Sequence, residues 1–281
     1  MTKIYWTDTQ AARLKMLGLD PAAAAEGLDT PARRNQAFQA IERKQVKALQ
    51  AELADRLTCR RPIRAVQLSQ DLDEMLRQQG FAKVSTPTIT TRKALAKMGI
   101  DDTHPLNEQI FWINQTQCLR PMLATGLYSL MKDFARLAFR PVRFYEIGTC
   151  FRKESEGASH SNEFTMINLV EMGTPEAERM QRLRDLAGWV ASTARVAGVR
   201  FEEENSAVYG TTLDLVADPS GLELGSGAVG PHPLDTAWGI TDTWVGMGFG
   251  MERLLMASVN DNAMGRWARS LSYLDGIPLR I

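Results

Sequence analysis

Two clusters of residues in this 281-residue sequence could do chemistry together. The first reads Phe151-Arg152-Lys153-Glu154, then a polar stretch through His160, then Glu163-Phe164. Arg152 and Glu154 stand two residues apart, so on an extended strand they point to one side. A guanidinium carries planar donors that grip phosphate oxygens in pairs. A carboxylate accepts hydrogen bonds, as from the amino group of adenine, and the Phe164 ring offers a face on which a flat base can stack. Taken alone, these residues leave open a plain surface Arg–Glu pair on a hairpin. The second cluster is Gly246-Met247-Gly248-Phe249-Gly250-Met251-Glu252-Arg253. Glycine at every second position of a strand leaves one face bare, and a flat ligand can lie against it. Arg253 then falls in the first turn of a helix, where a cation opposes the helix dipole. An anion facing it, such as the terminal phosphate of a nucleotide, would account for the placement. The glycines are not a dinucleotide fingerprint, because Glu-Arg follows the last of them and no βαβ unit lies downstream.

The elements that must hold these clusters can be read from periodicity. After Pro141, Val142, Phe144 and Glu146 alternate with Arg143, Tyr145 and Ile147, and a second β-rich run covers Phe164 to Met172. This predicts two antiparallel strands joined by a long loop, and loops of that length are functional or mobile more often than not. Upstream, Phe38, Ile41, Val46, Leu49, Leu53 and Leu57 recur at helical spacing, with Thr30-Pro31 as a start signal and Cys59 to Pro62 as a break. A helix over 66–79 is expected to stop at Gly80, followed by a strand from Phe81 to Thr86 that ends at Pro87. Another helix runs from Thr174-Pro175-Glu176 to about Ala197, closed by Gly198. Strands are expected near 200–204, 211–217, 221–229 and 244–250, with an apolar helix from Met251. The pattern predicts an α+β domain over 65–281, an antiparallel sheet flanked by helices. An N-terminal helical, basic segment over 1–64 precedes it.

Composition narrows the class. Hydrophobic residues make up 44% and charged residues 23%, as in ordinary globular proteins. No apolar run approaches the roughly 18 residues that span a bilayer, and the start of the chain has no secretory pattern. Cys59, Cys118 and Cys150 are widely spaced and unpaired in sequence, which argues against a disulfide framework and against zinc and fits reduced thiols in a cytoplasmic protein. The formal net charge is zero, yet residues 1–64 hold twelve Lys/Arg against seven Asp/Glu. Such a segment can meet a phosphate backbone or be a solvated helix face.

In chain order, helix–strand–Pro87, then FRKE with its loop and Phe164, then GxGxGxER resemble the three motifs of the class II aminoacyl-tRNA synthetases. LRPMLATGLYSLM (119–131), YEIGTCFRKESEGASHSNEFTMINLVEMG (145–173), VYGTTLDL (208–215), LELGSGAVGPHPLD (222–235) and WVGMGFGMERLL (244–255) are similar to the pyrrolysine-specific branch of that family. The resemblance covers about residues 66–281. It implies a ligase that activates pyrrolysine with ATP and Mg²⁺ and joins it to a cognate amber-suppressor tRNA. An engineered pocket for a lysine or phenylalanine analogue is an alternative it leaves open. By similarity, Arg152 holds the α-phosphate, Glu154 meets the adenine amino group and Phe164 stacks on the ring. Arg253 contacts the γ-phosphate, His160 and Gly250 belong with the nucleotide site, and Glu223 and Ser226 bind magnesium. Arg152 and Arg253 are the catalytic pair. Ala124, Leu127, Tyr128, Met131, Val170 and Trp244 line the amino-acid pocket; Asn168 bonds the side-chain amide, and Tyr209 closes over the ring. The family resemblance also implies a homodimer through residues 66–90. Many members carry a further N-terminal tRNA-binding domain. This sequence resembles the shorter, archaeal-type form without it, which gives Arg60, Arg61, Arg64, Arg266 and Arg269 a part in holding tRNA. Gly225 and Gly227 beside Ser226, and Ser161 after His160, depart from the pattern in ways that bear on pocket shape more than on reaction. Rival readings are a phenylalanyl-type synthetase, a non-catalytic tRNA-binding relative, and a ligase that adenylates a small acid without charging tRNA.

Overall fold

Polar caps, proline and glycine set the ends of the first helices. The computed structural model describes residues 5–23, 29–153 and 161–281. It divides into two compact units, Met1–Ile63 with Arg269–Ile281, and Arg64–Ala268. In the first unit, helix α1 (Asp8–Met16) opens on a reciprocal capping box between Thr7 and Gln10, which satisfies two orphan backbone donors. Helix α2 (Pro31–Leu57) opens as expected, with the Thr30 side chain accepting the Arg33 N–H and Pro31 in the first turn. Leu17, Leu49 and Ile277 form the unit's small core. A hairpin pairs Tyr273–Leu274 with Ile277–Pro278, and Asp275 in its turn lies 2.8 Å from buried Arg56.

In the second unit, helix α3 (Arg64–Gln78) buries Leu68, Leu72 and Leu76 at four-residue spacing. Gly80 takes φ +81°; its N–H bonds Arg77 O at 3.0 Å, and Phe81 N–H bonds Leu76 O at 2.9 Å. That is the paired closure that left-handed backbone at a helix end permits. Strand β1 is only Ala82–Lys83, shorter than the expected 81–86. The chain leaves the ladder because the Thr86 N–H and hydroxyl both turn to Glu146, at 3.1 and 2.6 Å, and Pro87 has no N–H to give. A small ribbon pairs β2 (Ile89–Thr91) with β3 (Gln117–Leu119). Helices α4 (Arg92–Lys97) and α5 (Ala124–Phe134) flank the approach to the main sheet.

Strands β4 (Val142–Phe151) and β5 (Glu163–Met172) are the expected long hairpin, paired residue for residue from Val142↔Met172 to Phe151↔Glu163. The expected helix over 174–197 is instead a 3₁₀ turn, Glu176–Glu178, and helix α6 (Arg179–Thr193). It ends early, where Arg195 takes a left-handed φ of 59°. Then come β6 (Val199–Ser206), β7 (Gly210–Ala217), β8 (Leu222–Gly230), α7 (Asp235–Trp238), β9 (Trp244–Gly250) and α8 (Met251–Ser258). The main sheet has the order β1-β4-β5-β9-β8-β7-β6. It is mixed and not wholly antiparallel, because β1 lies parallel to β4.

The sheet has two unlike faces. Tyr145, Ile167, Leu169, Val245, Met247 and Phe249 pack on one side with Leu72, Leu186 and Leu254 of α3, α6 and α8. The alternate residues face the other way, where Phe144, Val170 and Trp244 meet α5 and α7. Period-two alternation therefore makes one face a buried core and gives the opposite face to the site.

Candidate active site

On that second face lies a cavity of about 640 Å³. Every site residue named from the sequence lines it except Glu154 and His160, which fall outside the described residues. Arg152 sits where β4 ends; its Nε donates to Pro121 O at 2.9 Å. Its guanidinium lies 5.3 Å from the centre of the Phe164 ring. Arg253 enters from the first turn of α8, and its Nη1 lies 3.1 Å from both the carbonyl and a carboxylate oxygen of Glu223. Two guanidiniums thus arrive from separate elements on one cavity. Gly246, Gly248 and Gly250 of β9 line it as well.

Glu223 and Ser226 share the cavity only because β8 is irregular. Three residues apart on a regular strand, they would face opposite sides. The register shifts at Leu215/Val216, so that Ser226 faces Asp214 while Glu223 faces Val216. A bulge of this kind re-aims side chains, and both then line the cavity. The carboxylate and hydroxyl are hard oxygen donors. Among the described residues no group of three or more His, Cys, Asp and Glu is placed to hold a metal. A carboxylate and a hydroxyl alone suit a cation that takes the rest of its shell from phosphate and water.

Asn168 lies opposite Gly248 on β9, which lies opposite Ser226 on β8. A Cβ at Gly248 would come within 2.8 Å of both amide heteroatoms of Asn168, so glycine is required for that amide to lie over the strand. Asn168 Oδ1 is buried and has no hydrogen-bond partner among the described residues. The apolar wall comes from Ala124, Leu127, Tyr128 and Met131 on α5, with Val170 and Trp244. Tyr128 meets Trp244 edge-on at 5.7 Å. Burial, then the nearness of Tyr209 and Asp235, holds the Tyr128 phenol well above its ordinary range. Burial and Asp235 raise Tyr209 as well. Both are neutral hydroxyls at working pH. Burial pushes the Cys150 thiol up to about 12 and Cys118 to about 11, so neither is a thiolate nucleophile.

Several residues of the site carry weak signals or none. Glu252 accepts the Thr165 N–H at 2.8 Å, which ties α8 to β5. Asp214 is buried, lines the cavity, and has Oδ1 without a partner among the described residues; its one signal is a charge inside the apolar run of β7. His232 Nδ1 accepts the Leu234 N–H at 3.2 Å, so Nε2 carries the proton and donates to Tyr209 O at 3.0 Å. Asp235 accepts from Trp244 Nε1 at 3.0 Å. Nothing in the sequence marks these last two.

A family model described as tRNA synthetases class II core domain (F) matches residues 58–264. The crystal structure of pyrrolysyl-tRNA synthetase from Desulfitobacterium hafniense is similar over all of this chain and all of its own, at 47% identity and TM-score 0.90. The chain belongs to the pyrrolysyl-tRNA synthetase family of class II synthetases. A second structure from that organism, PylSc, a pyrrolysyl tRNA synthetase, matches at 47% identity and TM-score 0.87, covering 99% of this chain and 96% of its own. Giardia lamblia prolyl-tRNA synthetase in complex with prolyl-adenylate shares the fold alone: 14% identity and TM-score 0.60 over 70% of this chain and 46% of its own. As a class II synthetase the chain is an aminoacyl-tRNA ligase, which activates an amino acid and charges tRNA with it. Among the described residues no helix is long and apolar enough to cross a membrane.

Proposed function

We propose that this chain activates pyrrolysine with ATP and joins it to its cognate amber-suppressor tRNA. One observation supports this above others: Arg152 and Arg253 share a single cavity with the apolar wall and with Asn168. The amino-acid carboxylate attacks the α-phosphorus in line and pyrophosphate leaves. A carboxylate is already a nucleophile, so no general base is required. Arg152 binds the α-phosphate and Arg253 the γ-phosphate, holding the triphosphate bent over the glycines of β9 while they stabilise developing charge. Phe164 gives the adenine a face to stack on, with Gly250 beside it; by the family resemblance Glu154 would accept from its amino group and His160 would belong with the nucleotide site. Arg253 bonds Glu223 at 3.1 Å, an exchangeable contact when phosphate enters. Glu223 and Ser226 would hold Mg²⁺, which when bound neutralises phosphate charge.

Asn168 supplies the polar group inside an otherwise apolar wall. Its amide bonds the side-chain amide carbonyl of pyrrolysine, and Tyr209 closes over the ring. A phenylalanine side chain would leave the Asn168 amide unpaired, which disfavours a phenylalanyl-type substrate. The basic segment 1–64 helps hold tRNA, as do Arg266 and Arg269. Two copies pair through α3 and β1 in the cytoplasm; gel filtration at monomer size would contradict the pairing. The function is tested by two assays on one preparation, ATP–pyrophosphate exchange with pyrrolysine and aminoacylation of the amber-suppressor tRNA. Both are expected to proceed. Exchange without aminoacylation would favour a ligase that adenylates a small acid, and neither would remove pyrrolysine as the substrate.

A further inference from the structure

His104-Pro105-Leu106 and His232-Pro233-Leu234 are the same three residues in two distant loops, and they fold the same way. His104 caps a 3₁₀ turn, Pro105–Gln109, and its Nδ1 accepts the Leu106 N–H at 3.1 Å. His232 Nδ1 accepts the Leu234 N–H at 3.2 Å. A ring nitrogen that accepts carries no proton, so in both rings the proton sits on Nε2. Both Nε2–H groups donate to one turn, His104 to Ala207 O and His232 to Tyr209 O, each at 3.0 Å. The leucines go the other way: Leu106 and Leu234 pack on the apolar cluster that holds Tyr128 and Trp244.

The turn they grip joins β6 to β7 at the edge of the main sheet. Ser206, Ala207, Val208 and Tyr209 all line the cavity. Inside the turn, Ser206 Oγ accepts the N–H groups of Val208 and Tyr209, both at 3.3 Å. Those bonds shape the turn without fixing its place. Among the described residues, the hydrogen bonds that its backbone receives from outside the hairpin are those of the two imidazoles. A turn at a sheet edge with few bonds to its surroundings opens readily. Two donors from separate loops, on carbonyls two residues apart, oppose that opening, and the His232 ring also meets the Tyr209 ring edge-on at 5.5 Å.

We infer that His104 and His232 are positioning residues that clamp the β6–β7 turn against the amino-acid end of the cavity, so that the amino acid enters a wall already closed. This rests on the proposed reading of that end as the amino-acid pocket. Neither histidine lines the cavity; each acts through the turn. When the turn is open part of the time, a ligand that needs it closed binds more weakly in proportion to the closed fraction lost. ATP, held at the guanidinium end, does not need it.

Two variants at His104 separate the clamp from the local fold. The side-chain oxygen of asparagine stands about where Nδ1 does, so His104→Asn keeps the acceptor for Leu106 and loses the donor to Ala207. The side-chain nitrogen of glutamine stands about where Nε2 does, so His104→Gln keeps the donor and loses the acceptor. In pyrophosphate exchange His104→Asn should raise KM for pyrrolysine about three- to tenfold, the worth of one neutral hydrogen bond. Its kcat and its KM for ATP should stay within about twofold. His104→Gln should restore the wild-type KM. Hydrogen exchange read by NMR should show the Val208 and Tyr209 amides protected in the wild type and exchanging about three- to tenfold faster in His104→Asn alone. Wild-type behaviour of His104→Asn would overturn the inference. So would equal losses in both variants, or a KM for ATP that rises with that for pyrrolysine, the mark of a structural role. Unprotected turn amides in the wild type would overturn it even if neither variant folds. A wild-type protein inactive with pyrrolysine would overturn the substrate reading instead, and the exchange rates of the turn amides would still decide the clamp.

Discussion

A buried amide atom left without a partner costs about 1–3 kcal/mol, and among the described residues Asn168 Oδ1 is such an atom inside the cavity. Oδ1 is an acceptor, so the cost would disappear when an N–H donor of the substrate meets it, and in the proposed reading that makes the residue a source of selectivity. Asn168→Ala is expected to lower kcat/KM for pyrrolysine roughly 10- to 100-fold and to admit bulky aromatic amino acids, as steady-state exchange against a phenylalanine panel would measure. Unchanged kinetics would remove Asn168 from recognition. Gly248→Ala should weaken pyrrolysine binding from the other side of the same contact, since its Cβ would come within 2.8 Å of the amide. Its KM should rise while the melting temperature moves little. Asn168 was legible because an amide on an apolar strand needs a reason. Asp214 and Asp235 were not, because a lone aspartate in sequence does not say whether water or a packed wall surrounds it.

At the level of elements, helix and strand types followed from spacing and caps. Thr30-Pro31 opened one helix and Gly80 closed another where stereochemistry requires, and the alternation through β4, β5 and β9 assigned each residue to a face. Three things depended on distant partners and were hidden. The parallel pairing of β1 with β4 is set by where the chain crosses over. The shortness of β1 follows from Thr86 turning to Glu146. The bulge that brings Glu223 beside Ser226 has no composition signal. Another long-range device joins β4, β5 and α6: Glu171 takes Arg143 at 2.6 Å and Arg182 at 2.7 Å. Burial opposes its charge, but the bonds from Arg182 and Arg143 prevail and hold its carboxyl below the ordinary range. A carboxylate with a lowered pKa stabilises the fold fully above its unfolded value, about 4.3, and loses that contribution as pH falls through the folded value. Glu171→Gln should therefore melt below wild type at neutral pH, with the gap closing as the solution is acidified beneath about pH 4. A gap that stays constant would contradict the linkage.

Across the whole molecule, zero net charge conceals a basic segment before residue 65. Arg60 and Arg61 are exposed and lie only loosely near Asp55, at 3.8 and 3.9 Å, a spacing at which surface pairs contribute little. If they and Arg64 meet tRNA phosphates, reversing their charge should weaken tRNA binding and flatten its dependence on salt by roughly one unit of slope per lost contact. An unaltered slope in a binding titration would place the tRNA elsewhere. The catalytic claim is independent of that surface and has its own decisive experiment, pyrophosphate exchange with pyrrolysine in Arg152→Ala and Arg253→Ala. If both guanidiniums hold one triphosphate, each variant should form adenylate roughly 10²- to 10³-fold more slowly. A wild-type rate in either would contradict the account.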